Sequence, residues 1–292
     1  MRLVRFSVRQ DPAAAAAVGV LVGDAAVLDF RRAALRMPAD TLACFDLDAP
    51  WLPRAFALAA RPPADALVPI DQIHLRAPVP RPGKLVCVGL NYRDHAAESK
   101  MAVPEHPVLF SKFTTSVIGP GESIVIPSSS GKVDYEAELA IVIGRRAKRV
   151  NRDEAAAAIL GYTMVNDVSA RDFQFGDGQW QRGKSCDTFA PMGPWILTAD
   201  EVADSQQLGI RLRLNGQTLQ SSNTNQMIFG PVDLVAFISE TITLEPGDVI
   251  ATGTPSGVGF ARQPPVFMKP GDQVEVEVDG LGVLKNPVRA EG

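Results

Sequence analysis

Cysteine is scarce in this chain: Cys44, Cys87 and Cys186 are all there is in 292 residues. They are far apart and form no C-x-x-C pair, which excludes a disulfide framework and a zinc knuckle and fits a reducing, cytoplasmic setting. Lysines and arginines make no cluster of the nucleic-acid-binding kind, and the net charge is only -4, so nucleic acid is not an expected partner. No segment approaches the roughly 18 to 20 apolar residues of a membrane span. Arg2, Arg5 and Arg9 ahead of the apolar stretch Ala13 to Val22 only faintly imitate a signal peptide. Asp11-Pro12 interrupts the approach, and Val18 to Val22 followed by Gly23-Asp24 reads as a strand entering a turn. Two motifs are missing as well. The glycine-rich Ala251–Gly259 lacks the ending of a Walker loop and any Rossmann context, and Ser256 stands outside a G-x-S-x-G setting, which argues against nucleotide binding and against that type of serine hydrolase.

What is present describes a β-rich body. Hydrophobic content of 46% suffices for a sizeable core, and 24 glycines with 23 prolines imply many turns and short strands. Leu3 to Phe30 alternates like a meander, and a helix-prone region follows from Arg31 to Pro69. The proline-rich Ala77–Gly83 then suggests a boundary, dividing the chain into a small N-terminal domain (1–76) and a larger one (80–289). In the larger part Lys84 to Val88 reads as a strand and Asp94 to Lys100 as a short helix. Asn151 to Glu154 forms a capping box, predicting a helix through Leu160 that Gly161 would end. Tyr162 to Val168 is the next expected strand. Pro246-Gly-Asp248 and Pro270-Gly-Asp272 repeat one turn signal, each ahead of a β-like run, as in a β-sandwich or roll.

Chemistry concentrates in a few places. In the run Tyr135 to Ile143, strand alternation puts Glu136 and Glu138 on one face and Tyr135, Ala137, Leu139, Ile141 and Ile143 on the other. Two carboxylates on one patch need solvent, basic partners or a divalent cation. Asp167, at the end of the next strand, can add a third hard oxygen ligand, a set that favours Mg²⁺, with Mn²⁺ or Ca²⁺ as alternatives. The bland reading is a solvated strand face. His95 and Glu98 stand i, i+3 on their helix, as a general base with its orienting carboxylate or as a surface pair. The Ala251–Gly259 loop can turn backbone N–H groups toward an anion or be a tight turn. Arg171, Gln174 and Lys184 can hold carboxylate or keto oxygens, and Lys112 ends an apolar run where a lysine commonly snorkels. His74 and His106 have no comparable partners.

Taken together, Gly89 to Glu98, Asp134-Tyr-Glu136-Ala-Glu138, Val165-Asn-Asp167 to Gln174, Gly183-Lys184 to Thr188 and Thr252-Gly-Thr254 to Gly259 resemble, in order, the motifs of the fumarylacetoacetate hydrolase family. The resemblance covers roughly Pro80 to Pro287. It implies a β-rich α+β fold, a mixed β-sandwich roll, usually homodimeric, with Mg²⁺ or Mn²⁺ held by Glu136, Glu138 and Asp167. It further implies a small-molecule 2-oxo acid substrate, His95 with Glu98 activating water, Lys184 polarising a substrate oxygen, and Lys112, Arg171, Gln174 and Thr254 helping to bind carboxylates. The founding, longer hydrolases carry a further acidic ligand ahead of the histidine motif, whereas Leu85 to Leu90 offers none. That resembles the shorter members, which include acylpyruvate hydrolases, oxaloacetate decarboxylases, and isomerases or hydratases of aromatic catabolism. The resulting expectation is hydrolysis of a C–C bond in a small 2,4-dioxo acid. Decarboxylation or isomerisation is the alternative, and a catalytically silent metal- or acid-binding protein is the non-enzyme rival.

Overall fold

The computed structural model describes residues 1–9, 15–38 and 42–292. Asp11-Pro12 and the first two alanines of the leading apolar stretch lie outside the described residues, as do positions 39–41 of the helix-prone region. The leading segment supplies strands β1 (Arg2–Val8), β2 (Ala17–Val22) and β3 (Ala26–Asp29), helix α1 (Leu52–Ala60), β4 (Leu67–Pro69) and β5 (Ile73–Arg76). After the proline-rich connection come β6 (Leu85–Gly89), α2 (Arg93–Glu98), β7 (Val108–Ser111), β8 (Val117–Ile118), β9 (Ile124–Ile126), β10 (Val133–Asp134) and β11 (Ala137–Ile143). Next are α3 (Arg152–Ala157), β12 (Ile159–Asn166), β13 (Ser169–Ala170), α4 (Arg171–Gly176), α5 (Gln181–Lys184) and β14 (Ala190–Thr198). The chain closes with β15 (Gly209–Leu214), β16 (Gln217–Asn223), α6 (Pro231–Thr241), β17 (Val249–Ala251), β18 (Gln273–Val278) and β19 (Gly282–Ala290).

Among the described residues, twelve strands form one long sheet whose main path runs β4-β3-β2-β1-β14-β12-β11-β17-β6-β7. Along it β17 and β6 are parallel, while β11 pairs antiparallel with both β12 and β17. A second, five-stranded sheet runs β16-β15-β18-β19-β9 and packs across the first. Leu139, Ile141, Met164, Leu212, Val276 and Leu284 share the core between the two sheets. On the far side of the long sheet, Ala140, Val142, Val165 and Ile196 pack with Phe30, Trp51, Leu52 and Ala55, so the leading segment covers that face. Strand β11 is buried along its whole length because odd and even positions feed different cores. The result is a mixed, sheet-rich α+β sandwich, and neither sheet closes into a barrel.

The leading segment joins this sheet directly. Arg2 pairs with Leu197 and Leu3 with Ile196, setting β1 against β14, and β1 to β3 form the expected antiparallel meander. The repeated turn signal also holds: the Asp248 carboxylate accepts the Glu245 N–H and the Asp272 carboxylate the Lys269 N–H, both at 2.7 Å. The capping box forms, but the helix it opens stops at Ala157 rather than running through Leu160. Ile159 and Leu160 already belong to β12, and a Cβ on Gly161 would lie 2.2 Å from the Leu197 carbonyl oxygen. Gly161 thus serves the close approach of β14 and does not end the helix. No helix of the described residues is long and apolar enough to cross a membrane.

Candidate metal centre and catalytic site

The site begins where β11 and β12 meet. Ala137 pairs with Asn166, and the Asp167 N–H donates to the Glu136 carbonyl at 2.9 Å, which sets Asp167 beside the Glu-x-Glu pair. Glu136, Glu138 and Asp167 are all buried, and one carboxylate oxygen from each lies within 4.8 Å of the others. The solvated-face reading is therefore excluded. Basic partners account for two of the three acids. Glu136 accepts from Arg171 Nη2 at 2.5 Å and from Lys184 Nζ at 2.7 Å. Asp167 accepts from Lys112 Nζ at 2.5 Å and from Lys184 Nζ at 2.8 Å.

Glu138 is different. Its Oε2 accepts the Gly253 N–H at 2.8 Å, and among the described residues no lysine or arginine pairs with it. Burial, then the charges of Asp167 and Glu136, push its carboxyl well above the usual range. Burial also opposes ionisation of Glu136, but the Lys184 ammonium and the Arg171 guanidinium outweigh it and hold that carboxyl low. Counting Asp134, which Arg171 Nε contacts at 2.9 Å, the buried cluster sets four carboxylates against Lys112, Arg171 and Lys184. Ionised, Glu138 would put one negative charge in surplus, and its raised carboxyl reflects that. Each paired carboxylate oxygen keeps a second lone-pair site. Three hard oxygen donors, close together and one charge short of balance, fit a divalent cation such as Mg²⁺ or Mn²⁺.

Short elements aim the cations. Asp134 on β10 pairs with Ser169 on β13, which delivers Arg171 at the start of α4 to both Asp134 and Glu136. Arg171 Nη1 also donates to Gln174 Oε1 at 2.8 Å, one turn on along the same helix face. Lys184 ends α5, which is anchored by Trp180 packed edge-on against Phe110 at 5.5 Å. Lys112 follows β7 and reaches inward to Asp167 and to the Val168 carbonyl, the latter at 3.0 Å.

His95 and Glu98 share the inner face of α2, with Nδ1 and Oε2 3.3 Å apart. Burial works to raise Glu98, yet the His95 hydrogen bond and the Gly257 N–H outweigh it and hold its carboxyl below the usual range. His95 lies close enough to Glu136 for its charge to act on that carboxylate. The Ser99–His106 segment follows α2 directly, and His106 stacks on Phe237 at 6.2 Å.

The glycine-rich loop does turn its N–H groups to anions, and the anions are the protein's own. Gly253 N–H holds Glu138, Gly257 N–H holds Glu98 at 2.9 Å, and Gly259 and Phe260 N–H hold Asp134 at 2.8 and 3.0 Å. Thr254 is buried in the same loop. Three polar residues that the sequence reading gave no role complete the frame, Asp134 and Asn91 inside the family motifs and Gln220 outside them. Asp134 anchors Arg171, Gln220 ties β11 to the loop, and Asn91 bonds Phe229 and Thr252, pinning the entry to α2. A cavity of about 880 Å³ lies beside β6 and β7, lined by Val86, Phe110, Phe113 and Trp180. Of the cluster it touches Lys112 alone, so the carboxylates sit apart from it.

A histidine–carboxylate pair beside buried acids ready for a hard cation is the equipment of an enzyme acting on small oxygen-rich molecules. The chain belongs to the fumarylacetoacetate hydrolase family: the family model described as "Fumarylacetoacetate (FAA) hydrolase C-terminal" matches residues 84–289. It is 50% identical over 233 residues to the Rattus norvegicus protein named "Oxaloacetate tautomerase Fahd2a, mitochondrial", covering 80% of this chain and 74% of that one. Among solved structures, a "putative HpcE protein" from Mycobacterium smegmatis is 36% identical, with a TM-score of 0.85 and all of both chains covered. A "5-carboxymethyl-2-hydroxymuconate delta-isomerase" from the same organism is 37% identical at a TM-score of 0.79, again over both whole chains.

Proposed function

We propose that this chain is a Mg²⁺- or Mn²⁺-dependent tautomerase that interconverts the keto and enol forms of a small 2-oxo dicarboxylate of the oxaloacetate type. The observation that carries this reading is the His95–Glu98 pair beside a buried three-carboxylate cluster, in a chain 50% identical to a protein named for that reaction. Glu136, Glu138 and Asp167 would hold the cation, which supplies Lewis-acid stabilisation for negative charge developing on the 2-oxo oxygen.

Tautomerisation moves one proton from C3 to the 2-oxo oxygen, so the site needs a group that takes a proton and returns it. His95 meets that need. Donating Nδ1–H to Glu98 leaves Nε2 with the lone pair that accepts the C3 proton, and Glu98 steadies the imidazolium. Lys184 is kept protonated by Asp167 and Glu136 against the pull of burial, and its positive charge favours an anionic substrate oxygen. Arg171 is fully engaged with Asp134, Glu136 and Gln174, so in this reading it orients Gln174 rather than gripping substrate itself. Gln174 and Thr254 then help bind a substrate carboxylate, with Lys112 holding Asp167 in place.

The test is oxaloacetate with Mg²⁺ or Mn²⁺, following loss of the enol's ultraviolet absorbance while CO₂ and cleavage products are measured separately. Metal-dependent enol–keto exchange is expected, and His95→Asn should lower kcat by about 10²- to 10⁴-fold while sparing metal binding. Exchange at the parent rate in that variant would remove His95 as the base, and no exchange by the parent would remove the reading.

The hydrolytic expectation takes second place. The same His95–Glu98 pair supports activation of water for C–C cleavage in an acylpyruvate-like substrate, and parallel assays with acetylpyruvate, fumarylpyruvate and maleylpyruvate decide by product. Decarboxylation passes through the same enolate and shows as CO₂. A homodimer, a cytoplasmic location and the division into a small N-terminal domain (1–76) and a larger domain (80–289) remain parts of the proposal. The relatives' names say mitochondrial, so cell fractionation tests the second.

A further inference from the structure

Gln220 lies on β16 of the five-stranded sheet, is fully buried, and has no part in the proton transfer described above. Its carboxamide oxygen accepts the Ala137 N–H at 2.9 Å. Its nitrogen donates to Thr254 Oγ1 at 2.8 Å and to the Pro255 carbonyl at 2.9 Å. Those partners fix which way round the amide stands. Ala137 N–H requires an acceptor and the Pro255 carbonyl a donor, so the oxygen faces β11 and the nitrogen faces the loop. Thr254 therefore accepts a hydrogen from Gln220, and its own hydroxyl hydrogen must point elsewhere. Among the described residues no acceptor takes it.

We infer that Gln220 is a positioning residue, which sets the Thr254 hydroxyl as a hydrogen-bond donor to the substrate's carboxylate. The inference rests on the reading of Thr254 as a substrate contact. One buried side chain then does two things. It orients the hydroxyl, and it spaces the Thr254 loop from the amide that lies between Glu136 and Glu138. A hydroxyl presented as a donor strengthens its bond to an anion, because charge-assisted bonds are roughly twice as strong as neutral ones. A hydroxyl left to rotate has several orientations, of which few serve.

The experiment is a double-mutant cycle with Gln220→Met and Thr254→Val in the full chain loaded with Mn²⁺. It reads KM for oxaloacetate, kcat, oxalate affinity by calorimetry, and Mn²⁺ affinity. Each single substitution is expected to raise KM and weaken oxalate binding roughly tenfold with a smaller change in kcat, the loss of one hydrogen bond to a charged group. In the Thr254→Val background, Gln220→Met should add less than twofold, since the group through which it acts is already gone. Gln220→Glu provides a second route. It keeps the shape and the acceptor for Ala137, but its other oxygen takes the Thr254 proton, so KM should rise at least as far.

Full multiplication of the two effects, or an unchanged KM in both Gln220 variants, overturns the inference and leaves the tautomerase reading standing. Loss of Mn²⁺ affinity equal to the loss of oxalate affinity would show that Gln220 merely supports β11, and would overturn it too. A parent that neither turns over oxaloacetate nor binds oxalate removes the functional reading and this inference together.

Discussion

Glu138 is buried and, among the described residues, forms no ion pair, and that single carboxyl organises the chemistry of the cluster. A buried, unpaired carboxylate costs several kcal/mol, so without metal the group is held toward its neutral, protonated form. Glu138→Gln mimics that neutral form and keeps an oxygen for the Gly253 N–H. The metal-free variant should therefore melt within about a degree or two of the parent at neutral pH. Adding Mg²⁺ or Mn²⁺ should raise the parent's Tm and leave the variant's almost unmoved. Thermal melts with and without metal check both, and a variant that melts several degrees higher without metal would mean that Glu138 carries its charge in the parent. At this scale the sequence was most legible where residues of one type crowd together. Glu136, Glu138 and Asp167 announced themselves because acids inside an apolar run conflict with their surroundings. The roles of Asp134 and Asn91, though both stand inside the family motifs, and of Gln220 did not show, because a buried polar residue is explained only by partners brought from elsewhere in the chain: Gln220 meets Ala137 from 83 positions away.

Among the elements, β11 was readable because its alternation survives burial on both sides: each face has its own core. The start of β12 was not. Ala155 to Leu160 has helical propensity, but Ile159 and Leu160 are claimed by long-range pairing, as Ile159 aligns with Ile143 and Gly161 with Thr198. Tertiary pairing overrides local preference there. Gly161→Ala tests the cause assigned to it. With a Cβ 2.2 Å from one backbone atom and 2.8 Å from another, β14 must move, at a cost of roughly 3 kcal/mol or more. Denaturant unfolding measures it, and a loss below about 1 kcal/mol, the scale of helix propensity alone, would return Gly161 to the role of a helix terminator.

Across the whole molecule, the proline-rich connection marks a change of character, yet the first 76 residues continue the long sheet through β1 and β14 and cover its far face with Phe30, Trp51 and Leu52. A chain beginning at residue 80 would expose the second half of β14, at Ile196 and Leu197, as an edge and uncover Val142, Val165 and Ile196, an apolar surface of the kind that drives association. Expressed alone, residues 80–292 should aggregate or melt far below the full chain; a monodisperse fragment with the parent's Tm would show that the leading segment is dispensable for folding. Composition cannot foretell such sharing, since a linker-like sequence looks the same whether or not the parts it joins share a sheet. The glycine-rich loop makes a different kind of bargain. Three of its main-chain N–H groups, with that of Phe260 just after it, hold Glu138, Glu98 and Asp134, acids from three separate elements. Gly253, Gly257 and Gly259 leave no room for a Cβ, so the donors are fixed by glycine, while the side chains between them, at Thr254 and Ser256, can be exchanged with the acids staying where they are. The scaffold can therefore acquire a new substrate there without rebuilding the centre that activates it.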